Sequence, residues 1–486
     1  MVGEQQDLLD TPDAGPAAIR GATLRVGSYV GGALLSVVSG ALLFRHLGLI
    51  GAGQYTIVLS MVALVSGVSD AGLTSIGMRE LSVRSGAERR VLASDLLGLR
   101  IVISVLGVGG MFVFALLAGY SDTVVVGVLI GGAGLVLQSC QSTLSVSLLS
   151  RLRLGWVSAI GLVSQATSVV LIAALVLAGA HLLAFVAVTI PAAALALAIT
   201  VVKVRGDVPL VPTVHRERWR RLLRMVLPYS VGIAAASFYL QMSVVLVSLI
   251  ANQRQLGLFS ASFRVLLALI TIPGLLVGSA FPIFARAARD DTARLAYVVD
   301  RVFQTSLILG VWMALGVAIG APLAIKVITG GGSFRAASGV LSIQGLALGA
   351  MFVGTIWGNV LLSLQRLRAI MYFNVAALVL GAVLVAVLVS LDGARGAAIA
   401  TAITESTAAL VGGIIVVRGD PRLKPSLASL PRVALAGACG AAPALLAAPV
   451  IVKLVLSSTI YAACLVALRL IPDELREEAR RLRIAR

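Results

Sequence analysis

Residues 256–286 read LGLFSASFRVLLALITIPGLLVGSAFPIFAR. Arg254 and Arg286 bracket this stretch, and between them the one charge is Arg264. The run exceeds the roughly 20 apolar residues that carry a helix through the hydrocarbon core of a bilayer. It therefore reads as a membrane-spanning helix. A charge inside such a helix costs about 3 kcal/mol on insertion scales, so Arg264 needs a reason to be there.

The rest of the chain is of the same kind. Of its 486 residues, 59% are hydrophobic and 12% charged, and the mean hydropathy is +1.02. A soluble protein carries about 25% charged residues. Apolar spans lie at about 26–44, 54–76, 98–118, 123–147, 156–179, 182–202, 227–250, 259–284, 304–329, 338–364, 369–390, 396–417, 431–448 and 451–470. Fourteen spans use roughly 280 residues, which leaves only short connections and no room for a large soluble domain. The fold class expected is an all-α polytopic membrane protein.

The net charge is +18. In a soluble protein that would point to nucleic acid. Here the cations follow the membrane instead, so no nucleic acid is expected. Lys and Arg collect in cytoplasmic loops. With both termini cytoplasmic, the inner segments hold 32 of them and the outer ones 6, with Arg264 the remaining one. A wrong helix count would scramble that alternation. The first 25 residues are polar, with Glu4, Asp7, Asp10 and Asp13, and read as a disordered cytoplasmic tail rather than a signal peptide.

The longest inner link, 203–226, divides the chain. It separates a six-helix bundle (26–202) from a second one (227–417), which is followed by two extra helices (418–470) and a cytoplasmic tail (471–486). Within the link, Trp219, Leu222 and Leu223 share a face among arginines. That pattern suits either a helix on the anionic inner leaflet or a solvated basic loop. The bundles look repeated. FRHLGLIGAGQYTIVLSMVAL in the first aligns Gly53 and Tyr55 with Gly257 and Phe259 of the second. Both copies join an outward helix to an inward one, so the repeat is parallel, a transporter architecture.

Polar residues fall in stripes on three helices. The first carries Ser28, Gly32, Ser36 and Ser39; the seventh Ser230, Ser237, Gln241 and Ser248; the eighth Ser260, Arg264, Thr271 and Gly278. Small residues alone would suit close helix packing. Gln241 and Arg264 are too large for a tight seam, and a polar lumen accommodates them better. Glu405 sits mid-helix in GAAIATAITESTAALVGG. An acid at that depth is either a proton-coupling group or a protonated, hydrogen-bonded packing residue. Asp70, in VSDAGLTS, is either a helix cap or an ion-coupling residue. Pro273 and Pro282 kink the eighth helix.

Several chemistries are missing from the sequence. It has no Gly-x-x-x-x-Gly-Lys-Ser/Thr loop, and His46, His181 and His215 are scattered. Cys140, Cys439 and Cys464 all fall in apolar segments and read as packing residues. No cofactor, metal or catalytic residue is expected.

Taken together, these segments resemble the polysaccharide transporter family. These are the Wzx-type flippases of lipid-linked oligosaccharides, in the superfamily that also holds MATE exporters and MurJ. The similarity lies in RHLGLIGAGQYTIVLSMVALVSGVSDAGLTSIGMREL, in the eighth helix quoted above and in GGGSFRAASGVLSIQGLAL. Many members carry an aspartate in the seventh helix, where this chain has Gln241 and Ser243. The resemblance implies movement of polyprenyl-diphosphate-linked sugars across the cytoplasmic membrane by alternating access, with H+ or Na+ as coupling ion. It also implies glycosyltransferases and a polysaccharide polymerase as working partners. Arg264 then reads as a diphosphate contact, with Gln241, Ser237, Ser260, Thr271 and Ser36 as cavity residues and Glu405 or Asp70 as coupling groups. A snorkelling arginine is the plainer alternative for Arg264. A MATE-like small-molecule exporter is the first rival function, though cationic drugs would want more acids in the lumen. A membrane polymerase or ligase of lipid-linked sugars is the second, and it would need a larger outer loop than any here.

Overall fold

The computed structural model describes residues 14–470 except 71, 152, 210 and 291. The acidic start of the expected N-terminal tail, the C-terminal tail 471–486 and the Ser28 side chain lie outside the described residues. Among the described residues every regular element is a helix. In chain order these are α1 (Ala14–Asp70), α2 (Leu73–Val83), α3 (Gly86–Leu117), α4 (Asp122–Ser150), α5 (Leu154–Leu177), α6 (Leu182–Ala187), α7 (Thr189–Val204) and α8 (Arg216–Ile250). Then follow α9 (Gln253–Leu269), α10 (Thr271–Ser279), α11 (Phe281–Asp290), α12 (Thr292–Thr329), α13 (Ala337–Ser363), α14 (Leu367–Gly419), α15 (Leu430–Ala441) and α16 (Val450–Ala467).

Among the described residues, eleven stretches are long and apolar enough to cross a membrane. Two of them, Gly31–Val83 and Leu367–Gly419, run to 53 residues. At 1.5 Å per residue each would reach about 80 Å, more than twice the hydrocarbon thickness. The backbone breaks both. Gly48 stands at φ 66° within α1, and Asp392 and Gly393 break α14, the glycine at φ 52°. Positive φ is open to glycine at little cost, so each long helix folds as two. The span expected at 431–448 forms α15, twelve residues followed by a 3-10 turn over Ala442–Leu445, and it is not among the eleven. The kinks expected at the prolines also appear. Pro273 and Pro282 lie in the first turns of α10 and α11, where a missing N–H breaks no helical bond.

The chain divides into two units, residues 1–249 and 250–486. The division falls at the end of α8, the helix that the sequence places at the head of the second bundle. In the first unit α1 packs on α3, α4 and α5, and α4 packs on α7. Leu73, Leu81, Leu96, Leu148 and Val204 form a core near one end of these helices. In the second unit α13 lies against α9, α12 and α14, around a core that includes Phe284, Phe303, Trp357 and Val416. A Cβ at Gly310 would stand 2.7 Å from the Gly349 carbonyl oxygen, so α12 and α13 cross backbone to backbone. The last two helices pack on α12, where the Tyr461 hydroxyl donates to the Ile308 carbonyl at 2.9 Å. Tyr55 and Phe259, aligned by the internal repeat, each follow a turn residue (Gly48, Asn252) by seven positions, and each is buried in its own unit.

The inter-bundle link takes a form that the sequence left open. From Arg216 it is helical and runs without a break into α8. Trp219 and Leu222 turn into the core of the first unit rather than outward to lipid headgroups, and Leu223 stays exposed. The link is fastened to α3 by the buried carboxylate of Asp95. Its Oδ1 accepts from the Thr213 hydroxyl at 2.7 Å and from Arg218 Nη2 at 3.1 Å, and Arg218 Nε lies 2.6 Å from Oδ2. The Thr213 amide also donates to the Ser94 carbonyl at 3.2 Å. A second pair, Arg151–Asp207 at 2.5 Å, holds the start of the link.

Candidate functional site

A polar cavity of about 350 Å³ opens inside the first unit, lined by five elements. The second half of α1 supplies Ser66, Gly67 and Asp70, and α2 supplies Thr74. Helix α3 gives Arg100, α4 gives Gln138, Ser139 and Ser142, and α8 gives Ser237. Asp70 lies 22 residues past Gly48, about 33 Å along the helix at 1.5 Å per residue. The cavity thus sits near the end of the bundle where the cations of 79–100 gather.

Its centre is an ion pair. Arg100 Nη2 lies 2.7 Å from Asp70 Oδ1. Arg100 Nη1 donates to the Thr74 hydroxyl at 2.9 Å, and that hydroxyl donates in turn to Asp70 Oδ1. The Arg100 side chain is 7% exposed and that of Asp70 37%. Both line the cavity, and Asp70 is the more exposed member. The cap expected of Asp70 is not what it makes. The N-cap of α2 is Gly72, at φ 85° and with no side-chain bond. Asp70 spends its Oδ1 on Arg100 and Thr74 instead.

The rest of the lining is neutral. Ser139 accepts from the Ser104 hydroxyl at 3.0 Å, and Ser142 donates to the Ser139 carbonyl at 3.1 Å. Ser66, Gln138 and Ser237 make no side-chain hydrogen bond among the described residues and line the cavity. Gly67 allows α8 to come close. A Cβ there would stand 2.4 Å from that of Ser237, so any larger residue pushes α8 away from α1.

The residues expected from the sequence divide between the two units. Asp70 and Ser237 meet in this cavity. Gln241 follows Ser237 by one turn on α8, and Ser36 lies on the first half of α1, where its carbonyl accepts from Ser39. Arg264, Ser260 and Thr271 belong to the second unit, on α9 and α10, and Glu405 to the second half of α14. Arg264, Thr271 and Glu405 are partly exposed. Ser260 differs from expectation: it is fully buried, so it offers no surface to a lumen in this conformation.

Arg100 and the α4 polar groups were not expected as site residues. The sequence places Arg100 at the edge of a loop because the apolar run of the third span starts near 98. The helix itself starts at Gly86, which puts Arg100 about 21 Å along it at 1.5 Å per residue. A usable signal was present: QSCQSTLSVS, Gln138–Ser147, is a polar run inside an otherwise apolar helix.

A family model described as polysaccharide biosynthesis protein matches residues 18–288, more than half of the chain. No curated protein sequence matches it significantly. Among solved structures, the fold is similar to that of the lipid II flippase MurJ in an inward closed conformation. The TM-score is 0.77 at 14% identity, covering 92% of this chain and 99% of that one. An inward-facing multidrug resistance MATE family transporter of the MOP superfamily gives a TM-score of 0.63 at 13% identity, covering 83% of this chain and 99% of that one. A MOP superfamily transporter from Pyrococcus furiosus gives 0.56 at 16% identity, covering 84% and 96%.

Proposed function

The chain belongs to the polysaccharide biosynthesis protein family, and from that premise we propose that it is a flippase. It moves polyprenyl-diphosphate-linked oligosaccharide units across the cytoplasmic membrane by alternating access, for assembly of a cell-surface polysaccharide. The family match over residues 18–288 carries this reading. The fold shared with a lipid II flippase supports it. So does a polar cavity within an apolar bundle, because a saccharide leaving water needs replacement hydrogen bonds. Both termini face the cytoplasm, and the protein is a transporter rather than an enzyme. H+ or Na+ drives the cycle, and glycosyltransferases and a polymerase act before and after it.

In this reading Arg264 contacts the diphosphate, since a guanidinium offers paired, directional donors to phosphate oxygens. Gln241, Ser36 and Thr271 add polar surface, and Glu405 carries the coupling proton. The drug-exporter alternative is disfavoured by the cavity's own charge: its one carboxylate is already neutralised by Arg100. The test is reconstitution. The purified protein in vesicles should expose a labelled polyprenyl-diphosphate oligosaccharide to the opposite leaflet faster than protein-free vesicles do. Equal rates would overturn the flippase reading, and a changed susceptibility of cells to cationic drugs would favour the exporter.

A further inference from the structure

The first-unit cavity contains one cation and one anion, and they are joined to each other. Both Nη atoms of Arg100 are engaged, one by Asp70 and one by Thr74. Its Nε is buried and makes no hydrogen bond among the described residues. The exposed member of the pair is the carboxylate. A diphosphate entering here would meet Asp70 before Arg100, and like charges repel most where water is scarce. To bind the arginine it would have to displace Asp70, which already holds the Nη2 position at 2.7 Å.

What the cavity offers freely is neutral. Ser66 and Ser237 each present a hydroxyl, and Gln138 presents an amide with two donors and an acceptor, all without partners among the described residues. Asp70 Oδ2 makes no hydrogen bond among the described residues and is a strong acceptor for a hydroxyl. Neutral donors and acceptors together, beside a paired cation and anion, match a ligand that carries hydroxyls and no charge. A volume of about 350 Å³ lies at the small end of ligand pockets and suits a ring with its substituents rather than a long chain.

We propose that this cavity is a saccharide subsite: it binds a neutral pyranose ring through Gln138, Ser66, Ser237 and Asp70, and it excludes the diphosphate. The proposal rests on the flippase reading for its ligand, a sugar carried on a lipid. Arg100 is then a positioning residue, which holds the Asp70 carboxylate in place at 2.7 Å while touching no ligand itself.

Cysteine protection tests this. In the full-length protein, with Cys140, Cys439 and Cys464 replaced by alanine, Ser142→Cys places a thiol in the cavity wall. Its labelling by a small methanethiosulfonate reagent is followed in proteoliposomes. The competitors are inorganic diphosphate and the methyl glycosides of glucose, galactose, mannose, rhamnose and N-acetylglucosamine. At least one glycoside should slow labelling severalfold, diphosphate should not, and adding Gln138→Ala should abolish the protection. Protection by diphosphate, no protection by any glycoside, protection that survives Gln138→Ala, or a thiol that the reagent never reaches would each overturn the subsite. The readout needs no transport. A wild-type protein that fails to move lipid-linked saccharide therefore strikes the flippase reading alone.

Discussion

Removing either partner of the Asp70–Arg100 pair leaves the other charge in a bundle with little water. Breaking a fully buried pair this way costs about 3–5 kcal/mol. Asp70 is 37% exposed, so water recovers part of the loss, and roughly 1–3 kcal/mol is expected for a hydrogen-bonded charge. Asp70→Asn and Arg100→Gln should each lower the thermal midpoint in detergent. The double variant should lose clearly less than the two singles together, because it removes both charges. Additive losses would show that the groups do not interact. Arg264 poses a different question, since a snorkelling cation is indifferent to its shape. If it grips a diphosphate, Arg264→Lys should impair transport partly and Arg264→Ala severely, with both proteins inserted and abundant. Full activity in both variants would end that role. Glu405→Gln should slow transport more than it lowers abundance, because an amide cannot carry a proton. Normal transport across a range of pH would leave Glu405 a packing residue.

At the scale of elements, the inter-bundle link is the part most specifically built. Thr213 lies so close to α3 that a Cβ at Gly98 would stand 2.3 Å from the Thr213 carbonyl oxygen. One methyl group must therefore lift the link from its seat and strain Asp95's bonds to Thr213 and Arg218. Overpacking of this kind typically costs about 1–3 kcal/mol. Gly98→Ala should speed tryptic cleavage at Arg216, Arg218 and Arg220, and Asp95→Asn should do the same by weakening both bonds. Unchanged cleavage in both would mean that the link is held by Trp219 and Leu222 alone. This seat was invisible in the sequence, although its neighbours were not. Span positions follow from hydropathy, since each helix must supply its own apolar length. The hairpin breaks at Gly48 and Gly393 lie close to where the charge alternation placed turns. Arg100 and Asp95 were missed for one reason: α3 continues a dozen residues below its apolar run, and there the partners are long-range. Nothing in the local pattern around Asp95 announces Arg218, which lies 123 residues away.

Across the whole molecule, the charge distribution makes the strongest claim and invites the most direct test. Over the fourteen spans expected from the sequence, thirty-two cations fall on one side and six on the other. The orientation proposed from this puts the richer side in the cytoplasm, because translocating a Lys- or Arg-rich short loop is disfavoured. The helix ends set the two faces physically apart. Ser333 sits in the short 3-10 turn between α12 and α13, and Ser426 lies beyond the far end of α14. Both are exposed. The backbone amide of Ser426 donates to Asp300 at 2.6 Å, near the start of α12, so these two segments share the end of the second unit opposite Ser333. With the termini inside, Ser333 faces out and Ser426 faces in. Single cysteines at the two positions, in an otherwise cysteine-free chain, should therefore respond oppositely to a membrane-impermeant maleimide in intact cells. The label should reach position 333 and miss 426 until the membrane is opened. The reverse pattern would invert the proposed topology, because a short loop that the label reaches from outside cannot be the cation-rich side that stays in the cytoplasm.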